Sequence, residues 1–138
     1  MNYPVEKILS VAGALLCVLI SVILWSSIAL YQEMWPLPAA YFIEMAAVSV
    51  VGAIFIVHGH SRAAPLTWAA AGILTAFSIL GAFSVGFFYL PVALLLGLAA
   101  LVLDLRARGN LIGHIGLWLG AAIVQVLLMF AIIQLMYP

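Results

Sequence analysis

The amino-acid sequence predicts an all-α, polytopic transmembrane helical bundle of five spans, with its N-terminus cytoplasmic and its C-terminus outside. Three observations predict it: the composition, the lengths of the apolar runs and the placement of the basic residues. Of 138 residues, 69% are hydrophobic and 6% charged, against roughly a quarter charged in ordinary soluble domains. A water-facing shell needs polar side chains that this chain lacks, so lipid must be the solvent for much of its surface. Four Lys and Arg balance four Asp and Glu. No basic stripe is left to release counterions from phosphates, which excludes nucleic acid as a partner. The expected partner is the lipid bilayer, in a prokaryotic-type inner membrane.

A spanning helix needs about 20 apolar residues, because the hydrocarbon core is roughly 30 Å thick and a helix rises about 1.5 Å per residue. Residues 8–30 satisfy this at once. The run outlasts the roughly 7–15-residue apolar core of a cleaved signal peptide, and Ser26-Ser27-Ile28-Ala29 makes a poor cleavage site, so it is read as a retained span. Pro36 and Pro38 then prevent the helix from continuing. The second span, 39–57, opens behind Pro38 and ends at the polar hinge His58-Gly59-His60-Ser61-Arg62.

Residues 63–103 carry no charge and would make one helix about 60 Å long, twice the membrane thickness. The break falls between Gly81 and Pro91, where Gly81 and Gly86 loosen the backbone and the proline restarts it. The third span is therefore 66–83 and the fourth 89–103. Asp104, Arg106, Arg108, Gly109 and Asn110 form a polar connector to the last span, 112–136. Five spans put Lys7, Arg62, Arg106 and Arg108 on one face, while loops 31–38 and 84–88 hold no basic residue. A single kinked span over 63–103 would divide the four equally between the faces, against the preference of Lys and Arg for the cytoplasmic side. Tyr31, Trp35, Tyr41, Phe87, Phe88, Tyr89 and Tyr137 are expected in the outer aromatic belt, with Trp68 and Trp118 in the inner one. The hairpin over 81–99 is similar to those of many small bacterial membrane proteins, a compositional likeness that carries over no functional residue.

Lipid tails are as apolar as Leu, so helices in a membrane are held by close approach and hydrogen bonds. Gly109, Gly113, Gly116 and Gly120 line one face of the last helix; Gly13, Cys17 and Ser21 do so on the first, with Gly72 and Ala76, and Ala93 and Gly97, on the third and fourth. These faces are read as contact surfaces, either within the chain or toward a second copy. Cys17 is the single cysteine and is read as a small packing residue, with no disulfide framework.

Few polar side chains lie at membrane depth. Glu44 falls more than a turn inside the second helix, where a carboxylate is costly and often functional. It marks a candidate proton or cation transport site, with Glu33, Tyr41 and Gln134 toward the same side and Gln125 near mid-span. Interhelical hydrogen bonding is the alternative role for Glu44 and Gln125. His58, His60 and His114, with Asp104, fall near the inner face and are conceivable metal or haem ligands, although their spacing matches no recognised ligand pattern. No phosphate-cradling loop, paired-His helix motif or nucleophile elbow occurs. The chain is expected to be non-enzymatic and to need no cofactor. It is read as an accessory or assembly subunit of a larger membrane complex, or a homo-oligomer. A small transporter or channel using Glu44 is the alternative, and a metal- or haem-binding protein the second.

Overall fold

The computed structural model describes residues 5–31, 33 and 37–136. Trp35, Pro36, Tyr137 and the head before Val5 lie outside them. Five helices follow in order: α1 (Val5–Ile28), α2 (Ala39–Val57), α3 (Ala63–Leu80), α4 (Leu90–Ala107) and α5 (Leu111–Met136), with a 3-10 turn at Gly86–Tyr89. Each of the five is long and apolar enough to cross a membrane. The described residues are otherwise turns and loop.

Helix boundaries differ from the expected ones for definable reasons. α1 begins at Val5 and takes in Glu6 and Lys7, because an acidic first turn favours a helix start. α3 begins at Ala63 rather than 66, since Pro65 sits in the first turn, where its missing N–H has no carbonyl to serve. It ends at Leu80, so Phe83 belongs to the turn. α4 runs on to Ala107, which corrects the reading of Asp104 and Arg106 as connector: polar side chains there do not break the helix. The true stop is Arg108, left-handed at φ 49°, where the Gly109 N–H reaches the Asp104 carbonyl at 3.0 Å. Asn110 caps α5 by accepting the Gly113 N–H at its side-chain oxygen, 3.1 Å away.

α1 packs on α2 and α4, and α3 packs on the other sides of the same two, so the first four helices close into a ring. α5 stands outside it, docked along α3. The apolar windows show the consequence: 56% of α3 is buried, against 11% of α5. At the end holding Arg62 and Arg108, here the basic end, Arg106 Nη1–H donates to Glu6 Oε1 at 3.1 Å. That ion pair joins the start of α1 to the end of α4, which requires the chain to turn back within 81–89.

The hairpin that makes this return depends on two glycines. A Cβ on Gly86 would stand 2.6 Å from the backbone of Gly81, and one on Gly81 would stand 2.8 Å from Gly86. The turn thus closes backbone against backbone. Along α1 small and polar residues face inward, while large aliphatics face out. α1 buries Ser10, Gly13, Ala14, Cys17 and Ser21, and leaves Leu15 66% and Val22 60% exposed. Water would favour the reverse arrangement; lipid favours this one, because Leu gains nothing by leaving a hydrocarbon solvent. Cys17 Sγ–H points at the Met45 carbonyl (3.3 Å), and Ser21 is 2.9 Å from the Tyr89 hydroxyl.

Candidate functional site

Polar side chains gather at two places. At the basic end, the Asp104 carboxylate is 2% exposed and receives partners from α3 and α5. Trp68 Nε1–H of α3 donates to Oδ2 at 2.7 Å. His114 Nδ1 of α5 lies 2.8 Å from Oδ1 and 2.9 Å from Oδ2. With Asp104 ionised, Nδ1 is the donor and Nε2 is the free ring nitrogen. A Cβ on Gly109 would fall 2.5 Å from Oδ1, so glycine there lets the connector pass over the carboxylate. Asp104 and Trp68 share the α3–α4 contact, and His114 reaches in from the first turns of α5. The cluster therefore ties the peripheral helix to the ring.

The proposed metal ligands do not converge as a set. Asp104 and His114 meet, but His58 turns back to the Ile54 carbonyl, 2.9 Å from its Nδ1. His60 packs edge-on against Phe55 and accepts the Arg62 N–H at Nδ1. Among the described residues no group of three His, Cys, Asp or Glu is placed to hold a metal ion.

The second place lies toward the hairpin end. Glu44 on α2 is half-buried, and Gln125 Nε2–H of α5 donates to its Oε2 at 3.3 Å. Gln125 is 2% exposed, one of only two buried residues on α5. α2 and α5 flank α3 without close backbone contact, so this hydrogen bond bridges the cleft between them. Tyr41 stands one turn before Glu44 and is buried against Phe77, with ring centroids 5.6 Å apart. Its hydroxyl is buried and has no hydrogen-bond partner among the described residues. Tyr41 and Tyr89 are core residues, which corrects their assignment to an interfacial belt. Tyr41 also lines a 410 Å³ cavity with Ile28, Glu33, Leu37, Pro38, Ser84 and Val85. Glu44, Gln125, Tyr41 and Glu33 thus share one region. Gln134 is exposed near the end of α5 and stays apart from them.

Two groups take roles that sequence reasoning misses. Trp68, expected in an aromatic belt, serves as a donor to a buried carboxylate; its register with Asp104 depends on the extra length of α4 and leaves no local signal. Glu6, paired with Arg106, is hidden by its place in a short polar head.

No protein-family model matches the chain, and no curated protein and no solved structure matches it.

Proposed function

We propose that the protein is a small non-enzymatic membrane subunit that acts by assembly, with α5 as the helix that meets a second copy. Its basic end would face the cytoplasm of a prokaryotic-type inner membrane, following the preference of Lys and Arg for that side. The observation that carries the reading is the peripheral seat of α5. It is held by α3 and two side-chain ties, and its Gly113, Gly116 and Gly120 are all exposed. A Cβ at Gly116 or Gly120 would meet nothing within 4 Å. Glycines in a membrane helix permit close backbone approach, and the approach open to these is from outside the ring. A single copy also offers few inward polar groups with which to line a hydrophilic path.

Counting subunits by single-molecule photobleaching in liposomes tests this, together with disulfide formation in Gly116→Cys. The expected result is a dimer that cross-links at 116 and becomes monomeric in the double variant Gly116→Leu, Gly120→Leu. Monomers at every protein-to-lipid ratio, with no cross-link at 116, would rule the reading out.

A further inference from the structure

We propose that Glu44 is a proton-uptake site reached from the hairpin end, with Glu33 at the mouth of the entry cavity and the Tyr41 hydroxyl as the link between them. The inference stands apart from the assembly role and rests on three placements.

The first is depth. Gln125 lies about 21 Å from the start of α5 and about 16 Å from its end by helical rise, so its partner Glu44 stands near the middle of that helix. Yet Glu44 is only about 8 Å beyond the start of α2. α3 also stops short: Gly72 touches the Trp118 backbone, which sets Leu80 near the level of residue 126, and α5 continues about 15 Å further. The end of α3 is therefore set below the tip of α5, and Glu44, level with the middle of α5, lies a short way from the start of its own helix.

The second is the cavity, which places the exposed Glu33 on the same wall as Tyr41. The third is the Tyr41 hydroxyl, which has no partner among the described residues: a buried O–H without an acceptor is costly, and such groups usually have a partner. Residues one turn apart on a helix are neighbours, so Glu44 flanks Tyr41 without a hydrogen bond to its hydroxyl, and a water must bridge the two. A water entering the cavity supplies the missing partner. Transfer then balances as a relay: the bridging water gives a proton to a Glu44 carboxylate oxygen and takes the Tyr41 O–H proton, and Tyr41 takes one from the cavity water, which is replenished through Glu33. Gln125 remains a donor to Glu44 in both states. α3 presents no ionisable side chain, and the one on α5, His114, is held by Asp104 at the other end. α1 offers Cys17, engaged with Met45, and Glu6 and Lys7 at the basic end. The hairpin turn offers Tyr89, engaged with Ser21, and α4 has only Asp104 and Arg106, both at the basic end.

The test uses the full chain in liposomes. Infrared difference spectra across a pH titration are expected to show a protonated-carboxyl band that Glu44→Gln removes and Glu33→Gln retains. After a pH jump, Tyr41→Phe should reach the same band amplitude more slowly, by on the order of 100-fold, the scale of a lost proton-transfer group. A water-soluble carbodiimide should label Glu44 faster as pH falls, and Ser84→Trp, which fills the cavity mouth, should suppress that labelling while leaving Glu6 unchanged. A titrating band that survives Glu44→Gln, or Glu44 labelling indifferent to Ser84→Trp, would overturn the proposal. So would suppression of labelling by sodium at fixed pH, which would assign the site to a metal cation.

Discussion

Asp104 shows how much a single buried side chain can tie together. Its carboxylate is almost wholly enclosed, and two donors from different helices satisfy it. Removing one partner of a buried charge leaves a desolvated group unpaired, a larger loss than the net value of the bond. Trp68→Phe keeps an aromatic ring in place and deletes the donor, so it should lower the unfolding free energy in lipid micelles by about 1–2 kcal/mol. His114→Ala should cost a similar amount, and because both bonds meet on one carboxylate the double variant should depart from additivity by about 0.5 kcal/mol or more. Strict additivity would show that the cluster does not act as a unit. The Glu6–Arg106 pair is one-sided: Arg106 is 53% exposed and screened by its surroundings, while the Glu6 side chain is 9% exposed and loses a partner of a buried group if Arg106 is removed.

Among the helices, the glycines sort into those that make contact and those that face open space. Gly72 lets α3 and α5 touch backbone to backbone, where an added Cβ would run into the Trp118 carbonyl. Gly72→Ala should therefore destabilise by about 1–3 kcal/mol, the range for overpacking, and shift tryptophan fluorescence as Trp118 moves. A methyl added at Gly97 would meet nothing within 4 Å, so Gly97→Ala should be neutral or stabilise by up to about 1 kcal/mol through helix propensity. Equal effects of the two substitutions in the same unfolding assay would contradict this packing. The number of helices and the hairpin are legible in the sequence because apolar length and glycine-proline punctuation are local signals. The choice of contact face is less so. Spacing alone does not separate Gly72, wedged between helices, from Gly116, which faces outward, because the distinction depends on where the fifth helix docks. Likewise, the depth of Glu44 follows from its position in α2, while its partner Gln125 is legible only as a polar residue that must find something.

On the scale of the whole molecule, four helices form a closed ring and the fifth is an appendage, which has consequences for how the chain comes apart. α3 is the shared wall: it meets α2, α4 and α5, and it is the most buried span. α5 contributes only Gln125 and Met129 to the buried set, and its ties to the ring are the Gly72 crossing, the Asp104–His114 pair and the Gln125–Glu44 bond. Contacts of this kind open before the ring does, since local stability follows local contact density. Hydrogen–deuterium exchange in nanodiscs should therefore show α5 amides near both ends exchanging well before those of α3, with the difference largest beyond residue 129, where no ring helix covers α5. His114→Ala combined with Gln125→Leu cuts two of the three ties and should accelerate α5 exchange by at least about tenfold, a change of about 1.4 kcal/mol in the opening equilibrium. α1, which does not pack on α5, should be unaffected. If the ring and α5 exchanged together in one cooperative step, the fifth helix would have to be integral to the core, and the two-part architecture would be wrong.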